Sequence, residues 1–233
     1  MADKKALLMV KLDPPSEREN EWNEWYNNVH VGARIKIPAF LSARRFQKLN
    51  NFPDTSPPEA KYLAIYDLSD SRVLKSREYD HIRQEETARG PDSFDANISK
   101  LPGIIRGLYK PIFPENGDYI LPDTKYLFVV AHDVPRNHHK EFNAWYDTEH
   151  LPLLLKVPGI VSARRFKLLE GGLPGAPTKH SAPTYLSLYD TESPQVLETA
   201  QFGEVTSTPW TQWVRTWYAR RMRMVYRLIY SGK

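Results

Sequence analysis

The sequence predicts an α+β fold made of two tandem modules, each with the ferredoxin-like order β-α-β-β-α-β. Three observations carry this. A long segment recurs without a gap half a chain later. In both halves, apolar runs of strand length and segments of helical periodicity follow one another in the same order. A stretch rich in proline, glycine and aspartate separates the halves.

The repeat is the strongest of the three. The segment from Glu21 to Phe46 aligns with that from Glu141 to Phe166, and 12 of 26 positions are identical. Unrelated sequences of this composition share roughly one or two. The correspondence extends from Lys5–Leu12 onto Lys125–His132, from Tyr62–Asp67 onto Tyr185–Asp190, and from Gly107–Phe113 onto Met224–Tyr230. The first module is therefore placed at residues 1–113, the linker at 114–123 and the second module at 124–233.

Each module opens on a short apolar run, Ala6–Leu12 or Tyr126–Ala131, that reads as a strand. A proline-containing turn leads into a helix, about Glu17–Lys36 and His138–Lys156. Phe142, Trp145, Tyr146, Glu149, His150, Leu153 and Leu154 recur there at three- and four-residue spacing. Pro38 and Pro158 stop these helices. A second strand (Phe40–Leu49; Ile160–Leu169), a polar loop and a third strand (Tyr62–Asp67; Thr184–Asp190) follow. Then come a second helical region (about Ser71–Lys100; Pro194–Ala219) and a closing strand.

Two helices cover one face of such a four-stranded sheet, and an apolar second face needs a partner. A tandem repeat supplies both sheets, so an intrachain pseudo-dimer closed into a barrel is expected. The rival arrangement pairs each half with another chain, as a homo-oligomer. Either leaves a cleft between sheet and first helix for a small molecule.

Composition narrows the classes. Apolar residues at 41% and charged residues at 26% fit a soluble globular protein. With no apolar run of about 18 residues and no apolar leader at the N-terminus, no membrane segment is expected and a cytoplasmic location fits. The absence of cysteine removes disulfides, thiolate metal sites and thiol nucleophiles. The net charge of +4 is concentrated late, in Arg215, Arg220, Arg221, Arg223 and Arg227. These read as helix-end and strand arginines on a solvated face. Without a nucleic-acid motif beside them, a nucleic-acid partner is disfavoured.

In the second half, Trp145-Tyr146-Asp147-Thr148-Glu149-His150-Leu151-Pro152, then Val157-Pro158-Gly159-Ile160 and a strand with Arg164-Arg165-Phe166, resemble the EthD-like branch of the dimeric α+β barrel superfamily. The resemblance covers most of the chain and implies the barrel described above. It also implies a small-molecule enzyme of a superfamily that includes dehydratases, cyclases, isomerases, cofactor-independent oxygenases and haem-handling proteins. Fold alone does not choose among them. The first half departs from the pattern, with Val29-His30-Val31-Gly32 where the second has Glu149-His150-Leu151-Pro152. If one half alone is active, the sequence favours the second.

The candidate catalytic residues are His150, its counterpart His30, and Tyr146. Histidine titrates near neutrality, and Tyr146, four residues before His150, shares its helical face. Candidate substrate-binding residues are Trp25, Trp145 and Tyr26 as an aromatic wall. Asn23 and Asn143 join them as polar residues recurring inside a helix, with Arg44 and Arg164 as one member of each strand Arg-Arg pair. Adjacent arginines on a strand point to opposite faces, and a pocket arginine can hold a carboxylate or polarise a carbonyl. Each also has a structural reading: core packing for the aromatics, a loop bond for the asparagines, a salt bridge for the arginines.

His132 and the His138-His139 pair lack the spacing of a metal site. Gly171-Gly172-Leu173-Pro174-Gly175 lacks a Walker lysine. The expectation is therefore a cofactor-independent lyase, dehydratase, isomerase or cyclase that acts on an apolar oxygenated metabolite by histidine acid–base catalysis. A haem-binding or oxygenase-type barrel with histidine on iron and a non-catalytic ligand-binding protein are the alternatives.

Overall fold

The computed structural model describes residues 5–50, 60–115, 117–169 and 182–232. The glycine-rich stretch 171–175 lies outside them. The strands are β1 (Ala6–Leu12), β2 (Phe40–Lys48), β3 (Tyr62–Leu68), β4 (Ile105–Phe113), β5 (Tyr126–Asp133), β6 (Ile160–Leu168), β7 (Tyr185–Thr191) and β8 (Arg220–Gly232). They close into one antiparallel barrel in the order β1-β3-β2-β8-β5-β7-β6-β4. Each half contributes a four-stranded sheet, and the sheets join edge to edge where β2 pairs with β8 and β4 with β6. The pairing is thus within one chain. The two modules are halves of one barrel rather than independent domains, because neither closes its sheet edges alone.

Strand alternation explains three separate cores. Leu7, Met9, Ile65, Leu127, Val129, Leu188, Met222 and Met224 fill the barrel interior. Their neighbours Leu8, Val10 and Tyr66 face the first half's helices, and Phe128, Val130, Tyr189 and Val225 face the second half's. Both faces are apolar, so β1, β3 and β7 are buried along their whole length.

The first helical region of each half differs from the uninterrupted α-helix expected. In the first half, α1 (Glu19–Trp25) passes through a π-helical stretch, Tyr26–Val31, into α2 (Gly32–Ile35). After α3 (Arg77–Ala88) and α4 (Phe94–Asn97), the second half repeats the device: α5 (His139–Trp145), a π-helical Tyr146–His150, and α6 (Leu151–Leu154). Such π turns widen the helix and are frequent at functional sites. Here both contain the repeated Tyr and His. The second helical region is also broken, into α3 and α4 in the first half and into α7 (Ala200–Val205) and α8 (Pro209–Arg215) in the second. Pro209 starts α8, and β8 begins at Arg220, so the helix does not extend to Ala219 as expected. Among the described residues no helix is long and apolar enough to cross a membrane.

Candidate functional site

The repeated Arg-Arg pairs divide as alternation requires, but not toward one site. Arg45 and Arg165 point at the helices. Arg165 lies 3.8 Å from the Tyr146 ring centroid and donates to Asn143 and Asp147. Arg45 lies 4.1 Å from that of Tyr26 and donates to Asn23 and Asn27. The recurrent asparagines complete this clamp. Asn23 donates to the Tyr62 hydroxyl and Asn143 to that of Tyr185, tying helix to sheet. Their structural bonds account for their recurrence, and neither lines the cavities described below.

Arg44 and Arg164 point into the barrel, away from both histidines. Arg164 donates to Asp190 at 2.7 Å, Asp190 also accepts from Ser162, and Arg44 reaches both Asp190 and Asp67. Tyr119, from the linker, donates to Asp67 at 2.6 Å and so seals this buried cluster.

Under the helices each half has a cavity, and the two differ in that carboxylates join the cations lining the first. The first encloses about 320 Å³ between α3, α4 and the sheet. Leu8, Val10, Tyr26, Tyr66, Tyr79 and Ile104 form its apolar wall, and the exposed Arg83 and Lys100 stand at its mouth. His30 lines it, with Nδ1 3.3 Å from a Glu86 carboxylate oxygen and 3.9 Å from one of Asp95. All three residues are buried. Arg34 holds Glu86 through two hydrogen bonds and also donates to the His30 carbonyl. Arg89 and the Trp25 indole hold the other Asp95 oxygen.

Burial and Arg34 pull His30 below the ordinary histidine range, while Asp95 and Glu86 oppose them. Burial works to raise Glu86 and Asp95, but it is outweighed, by His30 and Arg34 at Glu86 and by His30 and Arg89 at Asp95. Both carboxyls are therefore lowered and ionised at neutral pH. One nitrogen of His30 and one oxygen from each acid lie within 4.8 Å of one another, a donor set that could also hold a divalent cation.

The second cavity has only about 30 Å³ of free volume, room for about two water molecules. His150 lines it, stacked on Trp145 with centroids 4.2 Å apart and close to Tyr146 at 5.1 Å. Among the described residues no carboxylate lines this cavity. His132, Arg215, Arg221 and Arg223 do. Burial and then Arg165, Arg215, Arg221 and Arg223 pull His150 down to about 3, so its imidazole is neutral at physiological pH. Glu149, the acid beside His150 in sequence, instead accepts a hydrogen bond from Thr208 at 2.6 Å. The sequence preference for the second half rested on that acid and on the proline after the histidine; in the first half two acids reach the histidine from other helices.

Sequence reasoning missed those acids, because Glu86 and Asp95 lie far along the chain in a region without a motif. It also placed Arg221 and Arg223 on a solvated face. They alternate with Met222 and Met224, which fill the barrel interior, and so face the helices. Arg221 and Arg223 are half-buried there, whereas Arg227, further along β8, is exposed as expected. His138 stacks on Trp217, and His139 contacts the Val134 carbonyl, so neither joins a site.

No protein-family model matches the sequence, and the comparison with curated proteins finds no match. Solved structures do match over nearly the whole chain. An anthrone oxidase-like protein superposes with a TM-score of 0.61 at 12% identity, covering 99% of this chain and 93% of that one. A proposed monooxygenase from Fusobacterium nucleatum subsp. nucleatum gives 0.58 at 10% identity over 100% and 96%. A chlorite dismutase variant from Candidatus Nitrospira defluvii, in complex with cyanide, gives 0.54 at 7% over 97% and 92%. At these identities the likeness is one of architecture. With the closed eight-stranded barrel and its repeated βαββαβ halves, it shows that this chain has the dimeric α+β barrel fold, with one polypeptide supplying both halves.

Proposed function

We propose that the chain is a small-molecule enzyme of the dimeric α+β barrel type, working by proton transfer at His30 without an organic cofactor. The observation that carries this is the convergence of His30 with Glu86 and Asp95 on a cavity of about 320 Å³, within the size range of small-ligand sites. The second half's cavity is an order of magnitude smaller.

Two carboxylates facing Nδ1 favour the tautomer with its proton there, which leaves Nε2 as the proton acceptor. Separations of 3.3 and 3.9 Å are loose for hydrogen bonds, as is common before a ligand closes a site. When Nε2 takes a proton from a carbon beside a carbonyl, the imidazolium formed sits beside two negative charges. The displaced charge moves to the substrate oxygen, for which the Tyr26 hydroxyl, itself accepting from that of Tyr66 at 3.3 Å, supplies a donor. The apolar wall selects a compact, largely apolar, oxygenated metabolite, and Arg83 and Lys100 draw an acidic one to the mouth. Elimination, isomerisation and cyclisation all begin with this step.

The matching oxidase-like and monooxygenase-like structures favour a second reading, in which the same carbanion is oxidised by dioxygen. Haem is the alternative that the same geometry leaves to His30, since Nδ1 turned to two carboxylates would leave Nε2 for iron; the apolar cavity of about 320 Å³ favours a smaller ligand.

Solvent deuterium exchange tests the shared step before a substrate is known. A panel of enolisable aromatic ketones incubated in D2O should lose its acidic C–H signal with the wild type. Replacement His30→Ala should slow this by about 10²- to 10⁴-fold. Exchange that is as fast in His30→Ala as in the wild type would exclude His30 as the base.

A further inference from the structure

The second cavity contains groups that the proton-transfer reading leaves unused. The Nδ1 atoms of His132 and His150 and the Nε of Arg221 are all buried without a hydrogen-bond partner. His132 is 2% exposed and His150 9%. A buried polar group without a partner costs about 1–3 kcal/mol, so three around one small space call for an occupant.

The charge around that space gives its sign. Among the described residues Arg215 and Arg221 make no ion pair: Arg215 donates to the Thr206 carbonyl, and Arg221 lies 5.9 Å from the Tyr218 ring centroid. Arg223 lines the same space. The first half offers the contrast. Trp25 donates to Asp95, whereas Trp145, at the repeated position, donates to Thr211. Leu12 and Ile104 occupy the places that His132 and Arg221 take in the second half, since His132 pairs with Arg221 across β5 and β8. The second cavity thus combines added cationic and imidazole groups with a neutral threonine in place of an acid.

From this we infer that the second-half cavity is a binding site for a small planar oxyanion of the nitrite, nitrate or formate class, held by Arg221 and Arg215 against His150 and His132. Its size supports the assignment, because about 30 Å³ admits about two water-sized groups, matching an anion of three or four heavy atoms rather than a metabolite. Guanidinium groups suit such planar oxygens. Trp145 and Tyr146 supply the aromatic walls.

Thermal unfolding in sodium nitrite, nitrate or formate tests this, with ionic strength held constant by gluconate, which is too large to enter. At one hundred times Kd the melting temperature of the wild type should stand about 5–10 °C above the gluconate control, and above Kd it should climb with the logarithm of anion concentration. Arg221→Met should abolish the rise, while Lys140→Met, which removes an exposed cation, should leave it intact. If Arg221→Met does not melt cooperatively, Arg215→Met takes its place. A wild type whose melting temperature stays at that of the gluconate control in all three salts would overturn the assignment. So would an equal shift in the arginine variants.

Discussion

Trp25 donates its indole N–H to Asp95 at 3.3 Å, and this one bond marks how far the two halves have diverged. The same indole in the second half, that of Trp145, donates to the uncharged Thr211 at 3.2 Å. Both helices enter the same π turn, both carry Trp-Tyr followed by His, and both are clamped by a strand arginine. What differs is the chemistry brought to the histidine from the second helical region. The first half supplies carboxylates there, and the second supplies threonines together with arginines from α8 and β8.

Asp95→Asn keeps the shape of that contact and removes the charge. It should reduce deuterium exchange by about 10²-fold or more while leaving ligand affinity within about a factor of three, because the charge matters once His30 has taken the proton. Exchange kinetics and calorimetric affinity measured on the same variant separate the two effects. A loss confined to affinity would make Asp95 a binding residue instead.

The clamp is a matter of stability. Arg165 is almost wholly buried between Tyr146, Asn143 and Asp147. Arg165→Met leaves Asn143 without one partner and Asp147 without its counter-charge, and it should cost about 3 kcal/mol in urea unfolding. Arg165→Lys should recover only part, since a single ammonium cannot reach both partners and lie flat on the ring.

Acid should destabilise the second half before it affects the carboxylates. The folded chain holds His150 near 3, whereas an unfolded histidine titrates near 6.5. Between these values the unfolded chain takes up a proton that the folded chain refuses, so stability falls as pH falls, by about 1.4 kcal/mol per unit. At pH 5 His150 alone accounts for about 2 kcal/mol. His132, also lowered by burial and neighbouring arginines, acts in the same direction. Urea midpoints at pH 7 and pH 5 should therefore lie closer together in His150→Phe than in the wild type.

Gly159 turns the chain from α6 into β6 with φ +88°, a conformation that side-chain-bearing residues rarely adopt, and a Cβ there would overlap Val196. Gly159→Ala should cost about 2 kcal/mol on chemical unfolding. Its counterpart Ala39 has no positive φ, so the two Pro-X turns are not interchangeable despite their equivalent positions.

The architecture was legible because strands and repeats leave periodic traces. Ala6–Leu12 is a strand with the expected ends, and the βαββαβ order holds in both halves. The π turns left no trace, since inserting one residue per turn barely disturbs the apolar spacing around Tyr26 and Tyr146. The histidines were legible as residues but their surroundings were not. Glu86 and Asp95 reach His30 across 56 and 65 positions of chain. Arg221 and Arg223 look solvated in the sequence like Arg227, which is exposed, but the helices of the second half partly cover their end of β8.

The central claim is that the repeated histidines serve opposite chemistries, His30 receiving an enolisable metabolite and His150 standing over an anion. Imidazole nitrogen NMR of the intact protein tests it most directly, with each ring assigned from His30→Ala and His150→Ala. An enolisable ketone should shift the His30 resonances and leave His150 in place, while nitrate should shift His150 and leave His30. If both probes move the same ring, or if the ketone moves His150 alone, the division of roles between the halves is wrong.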